Sequence, residues 1–416
     1  MIETKKQAKI KTSKKTLKFP AGFLWGAATS AYQVEGGITQ NDWAASKMPP
    51  AGLACDHYNR YQEDFLLAKK LNHSAHRFSL EWSRIEPVAD QWDEDAIEHY
   101  SHTLDFLKRQ GFKTFVTLHH FTNPLWVASE GGWANRKTIE HFAGFVSKIC
   151  QTIGHLIDFW VTINEPGIYA FVGYQEGFWP PFKKSLLKSY KVYQNMLKAH
   201  NKAYEIIHAY YPEAKVGFAH NISYFEPNNP ASFFDRLVVR FHEWFYMDLP
   251  YTRTKNDYIG LNHYFYKRMG MNIFSLKKEV VRERKVELSD KGWAIYPRAI
   301  FEVLRKLKKF RKPIYITEHG IADRTDKKRP KFIVDYLKEV HRAIQKGVDV
   351  RGYLHWALLD SYEWPVLPQE KTGYEIKFGL VEVDFASPDL KRKIRKSARV
   401  YARICKSNAI GLSLLL

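Results

Sequence analysis

The chain has 416 residues, 45% of them hydrophobic in type, with 23 Gly and 18 Pro, which is enough material for a sizeable folded core. No run of 18 apolar residues occurs, which excludes a membrane-spanning helix, and three widely spaced cysteines (Cys55, Cys150, Cys405) suit neither a disulfide framework nor a metal or redox pair. Lys and Arg number 64 against 44 Asp and Glu, a net charge of +20 that would fit an anionic partner if the cations formed one site.

They do not cluster in that way. Residues 1–18 hold seven Lys and one Glu, with no apolar segment of the signal-peptide kind, and read as a basic disordered tail before a single domain spanning 19–416. The remaining cations are spread along helical stretches such as 305–312 and 391–403, the pattern of solvated faces. A cytoplasmic protein is expected, with neither nucleic acid nor membrane as its primary partner. The tail carries no aromatic residue that would stack on bases.

From residue 23 onward, short apolar or β-branched runs alternate with longer amphipathic stretches. Strands are predicted at 23–28, 75–80, 114–119, 159–164, 215–220, 257–262, 314–318 and 352–357. Helices are predicted at 56–71, 95–109, 138–154, 185–208, 231–245, 297–310, 331–346 and 389–405. Tyr61, Phe65, Ala68 and Leu71 step by four, three and three, which gives one apolar face. Eight strand–helix rounds without a linker or short repeat point to a closed α/β barrel, the (β/α)8 or TIM type, over an open sheet.

In such a barrel the carboxyl ends of the strands ring the ligand-binding mouth. Those ends carry Gln33 just past strand one, Arg77 in strand two, His119-His120 after strand three, and Asn164-Glu165 after strand four. Strand six ends in Asn262-His263-Tyr264, strand seven in Glu318-His319, and strand eight in Trp356, with Glu363-Trp364 close behind. Two carboxylates among aromatic rings and amides suit a sugar, whose C–H face stacks on Trp and whose hydroxyls need paired donors and acceptors. Adjacent His119 and His120 point to opposite faces, so no metal site is expected, and Cys55 reads as a small buried hydrophobe.

The motifs in these positions resemble the family 1 glycoside hydrolases, the β-glucosidase and β-galactosidase type. The resemblance runs from Phe19-Pro20-Ala21-Gly22-Phe23-Leu24-Trp25-Gly26-Ala27 through Arg77-Phe78-Ser79, Trp82-Ser83-Arg84-Ile85, Thr117-Leu118-His119-His120 and Thr162-Ile163-Asn164-Glu165-Pro166. It continues to Ile316-Thr317-Glu318, Trp356-Ala357-Leu358-Leu359-Asp360 and Phe378-Gly379-Leu380-Val381. It implies a retaining β-glycosidase that needs no metal or cofactor and removes the terminal β-D-glucosyl, galactosyl or fucosyl residue of small β-glycosides or oligosaccharides. Glu165 would be the acid/base and Glu318 the nucleophile. Gln33, His120, Asn164, Tyr264, Trp356, Glu363 and Trp364 would hold the sugar, with Arg77 and Asn262 in support.

The resemblance also implies unphosphorylated sugars, because of the acid at 363, and O-glycosides, because of the acid at 165. Four departures stand out: His319 in place of Asn, Phe121 in place of Trp, Lys377 in place of Arg, and a shortened stretch at 241–257 before strand six. The connection at 365–372 is longer than usual. A sugar- or small-molecule-binding barrel with little turnover is the alternative that the shortened wall allows. Oligomeric state and sugar preference are not legible in the sequence.

Overall fold

A computed structural model describes residues 16–272, 277–281, 286–365 and 373–414. Eight parallel strands close into a barrel: β1 (Leu24–Ala28), β2 (Ala75–Ser79), β3 (Lys113–His119), β4 (Phe159–Asn164), β5 (Val216–Asn221), β6 (Ile259–Asn262), β7 (Ile314–His319) and β8 (Val350–Trp356), with β8 pairing back onto β1. All eight predicted strands are present, displaced by at most two residues. The main helices between and after them are α1 (His57–Lys70), α2 (Glu94–Arg109), α3 (Lys137–Thr152), α4 (Leu186–Tyr210), α5 (Phe233–Glu243), α6 (Arg298–Leu307), α7 (Arg329–Gln345) and α8 (Lys396–Ser407). Among the described residues no helix is long and apolar enough to cross a membrane.

The barrel interior is graded along its axis. At the amino ends of the strands it is apolar, with Phe115 stacked on Phe159 at 4.1 Å between centroids and Tyr258, Tyr315 and Leu354 packed around them. Each such fully buried large side chain contributes on the order of 2–3 kcal/mol. One layer further up, Arg77, Thr117, Asn164, Asn262 and Thr317 face one another and join by hydrogen bonds. The apolar layer makes a rigid floor, and the polar layer carries the groups that reach the mouth.

Local signals fix the helix starts. Asp93, Ser185 and Ser232 each accept a hydrogen bond from the backbone N–H three residues on, a cap of about 1 kcal/mol. At the end of β7, Gly320 permits the approach of β8, because a Cβ there would lie 1.8 Å from the Trp356 carbonyl oxygen.

The structure corrects several expectations. The tail boundary at 18 falls one strand too late: Leu17–Lys18 pairs antiparallel with Ala409–Ile410, and residues 1–15 lie outside the described residues. The helix expected at 389–405 is a strand and then α8. Arg392–Ile394 pairs with Val381–Val383, and Arg392 turns inward onto Asp64 at 2.9 Å, so a charge run that looked solvated is partly a buried anchor. An antiparallel hairpin and its parallel partner, built from Tyr224–Pro227, Tyr266–Asn272 and Lys277–Val281, were not foreseen, because they lie outside the eightfold alternation. The shortened stretch runs as a wide helical turn (Trp244–Asp248) and a short helix (Leu249–Arg253), continuing α5 almost directly into β6.

Candidate active site

Glu165 and Glu318 line one cavity at the carboxyl ends of the strands, together with His120, Asn221, Tyr264, Trp356, Glu363 and Trp364. A larger cavity of about 510 Å³ opens at the opposite end of the barrel. Its acids are each paired with a cation of the same cavity, Asp158 with Lys113 and Asp349 with Arg351, so the two unequal carboxyls of the upper mouth are the better candidates for chemistry.

Glu165 follows β4 directly and caps the short helix Pro166–Ala170. Its backbone is left-handed at φ 45°, an unfavourable conformation for a non-glycine residue that costs on the order of 1–3 kcal/mol. Its Oε1 accepts hydrogen bonds from Asn262 Nδ2 at 2.7 Å and Asn221 Nδ2 at 3.2 Å. Both donors are neutral. Glu318 has a different environment: Oε1 receives Arg77 Nη1 at 2.5 Å, and Oε2 receives the Tyr264 hydroxyl at 2.9 Å. The Arg77 fork also reaches Asn164 Oδ1 at 2.7 Å, while its Nε bonds to Thr117. Asn262 Nδ2 also reaches Asn164 Oδ1 at 3.1 Å and its Oδ1 accepts from Thr317, which fixes the amide that holds Glu165.

Burial raises the pKa of both carboxyls. At Glu165 the charge of Glu318 adds to burial, and its pKa is pushed up to about 8. At Glu318 the Arg77 guanidinium and the Tyr264 hydroxyl oppose the rise. Glu318 is therefore the acid favoured for ionisation, and Glu165 the one that holds its proton to higher pH.

The remaining predicted residues divide into two groups. His120, Trp356, Glu363, Trp364 and Tyr264 line the cavity. His120 Nδ1 and Trp364 Nε1 are buried without a hydrogen-bond partner among the described residues, so the cavity keeps unused polar groups for a polar guest. Asn164 and Asn262 sit just beneath the lining, in the polar layer. Gln33 does not present its amide to the cavity. It lies on the short helix Ala31–Val34, donates to the Tyr362 carbonyl at 2.6 Å and accepts from Ser30 at 2.6 Å, bracing the segment that carries Glu363. His119 turns outward to Asn123 and Trp133, opposite to His120, and His319 packs on Phe332 and Tyr336, outside the barrel. Phe121 lines the cavity, Lys377 does not, and residues 366–372 of the long connection lie outside the described residues.

Four contributors were missed. Asn221 is the last residue of β5, one past the predicted strand end, so the strand-end rule would have found it with the correct boundary. Lys291 comes from the loop before α6, and its ammonium is 2.9 Å from Glu363 Oε1 and 3.1 Å from the Trp364 carbonyl, with its side chain 1% exposed. Trp179 and Trp293 close the cavity walls from loops that carry no periodic signal.

With this geometry in view, comparison with known proteins is decisive. The model of glycosyl hydrolase family 1 matches residues 15–251 and 246–410. The chain belongs to that family. It is an O-glycosyl hydrolase on the closed barrel common to family members. Beta-glucosidase A of Thermotoga maritima is 31% identical over 448 aligned positions, which take in 94% of this chain and 99% of the relative. Among solved structures, the beta-glycosidase from Pyrococcus horikoshii superposes with a TM-score of 0.89 at 35% identity, covering 96% of this chain and 98% of its own. The family 1 β-glucosidase from Thermotoga maritima in complex with isofagomine lactam gives 0.88 at 29% identity, covering 95% and 100%.

Proposed function

We propose that this family member is a retaining β-glycosidase of the β-glucosidase type, acting as a single catalytic unit on the non-reducing end of small unphosphorylated β-glycosides. The observation that supports this most is the unequal pairing of the acids, with a guanidinium on Glu318 and only neutral amides on Glu165. Both acids line one cavity and the charge of Glu318 is felt at Glu165, which supports the short spacing, about 5 Å, of a retaining pair over the wider gap that leaves room for water.

In this reading the ionised Glu318 attacks the anomeric carbon while Glu165 gives its proton to the departing glycosidic oxygen. The C–O bond breaks, and an ester to Glu318 forms. Water, deprotonated by Glu165, then attacks the same carbon and frees the sugar and Glu318. His120, Glu363 and Trp364 read the hydroxyls, and Trp356 supplies the stacking floor. The inhibitor complex of the Thermotoga relative supports a sugar-shaped guest for this cavity. Three buried free cysteines support a cytoplasmic place of work.

A chromogenic β-glucoside tests the reading. Steady release of the chromophore is expected, with competitive inhibition by a sugar lactone. Lactone binding without any release would instead identify a sugar-binding barrel.

A further inference from the structure

The outer face of α5 carries an apolar stripe that no other described element covers. At about 100° per residue, Phe233, Leu237, Phe241 and Trp244 fall on one arc, with Phe234 at its edge. Their exposures are 64%, 51%, 56%, 47% and 41% in that order. The opposite face is already anchored, with Val238 and Val239 packed on Phe225 and Met269. The stripe is therefore apolar surface beyond what holds the helix in place, and patches of this kind mark interaction sites.

A second feature lies beside it. Residues 305–312 contain six cations, Arg305, Lys306, Lys308, Lys309, Arg311 and Lys312, which the glycosidase reading leaves unused. Ion pairs of Lys306 with Glu243 and of Lys309 with Asp248 hold this run against the end of α5. Leu237, Arg240, Phe241, Trp244 and Lys309 then line one groove of about 390 Å³, together with the ion-paired acids Glu243 and Asp248. Arg236 and Arg240 border the stripe and are exposed.

We propose that this face docks on an anionic lipid bilayer. The aromatic and leucine side chains would enter the headgroup boundary, and the cations would meet lipid phosphates. Charge complementarity favours that occupant. A second copy docked face to face would bring its own cation run against the first, and a nucleic acid would leave Leu237 and Phe241 without an apolar partner. Such contact is peripheral and needs no spanning segment.

Flotation of the full chain with vesicles of phosphatidylcholine alone, or of equimolar phosphatidylcholine and phosphatidylglycerol, at physiological salt tests the proposal. Wild type is expected to float with the anionic vesicles and not with the neutral ones. The double variant F241S/W244S should lose at least about tenfold in bound fraction, while its turnover of a soluble chromogenic glycoside is unchanged. Equal flotation of the variant would assign the binding to general charge and overturn the proposal. A doubled mass in light scattering, lost in the variant and without vesicle binding, would assign the face to a second copy and overturn it too, as would salt-sensitive binding to DNA alone.

Discussion

Glu165 and Glu318 carry the same carboxyl group in the same cavity, and their neighbours alone divide the work between them. Glu165 acts as an acid only while protonated, so kcat/KM should fall as pH rises through about 8. A pH–rate profile checks this, and Glu165→Gln should abolish the alkaline limb. Glu165→Ala should lower the rate on glycosides with poor leaving groups by about 10²–10⁴-fold, with azide restoring rate on activated substrates. Lys291 is the residue for which sequence gave no warning. Lys291→Met leaves the acid of Glu363 beside a buried apolar chain, and the expected outcome is a KM raised about tenfold with a smaller change in kcat. Lys291→Arg should recover most of the loss if the cation itself positions Glu363.

At the scale of elements, legibility followed periodicity. Glu165, Glu318, His120 and Trp356 were readable because a strand's end is marked by the close of an apolar run, and the barrel turns every such end toward one mouth. Gln33 also stands just after β1, but there a four-residue helix turns its amide onto the Tyr362 carbonyl, a bond that no strand-end pattern announces. The segment 389–405 was misread because alternating Lys and Arg satisfy a helix face and a strand edge equally well. Its correction carries a stability prediction. Asp64 is fully buried between His57 and Arg392. Arg392→Met should cost about 3–5 kcal/mol in chemical denaturation. Burial alone pushes the Asp64 carboxyl up, yet His57 and Arg392 outweigh it and hold its pKa below the usual value. The stability this anchor provides is therefore present above the ordinary carboxylate pKa of about 3.9 and lost as pH falls through the lower folded value.

Across the whole molecule, one gradient joins fold to function. A dry aromatic floor at the amino ends of the strands supports a polar layer, and that layer aims two acids into a cavity walled by tryptophans. The eightfold alternation encodes the gradient, whereas the loop lysine of the sugar pocket belongs to a segment with no period, and the second apolar face of α5 is told from its packed face only by placement in space. The central claim is that Glu318 forms the bond to sugar. Incubation with a 2-deoxy-2-fluoro glucoside, followed by peptide mass spectrometry, tests it most directly. The account predicts a fluoroglycosyl mass on the peptide containing Glu318, and a label on any other residue, or turnover with no covalent adduct, would contradict it.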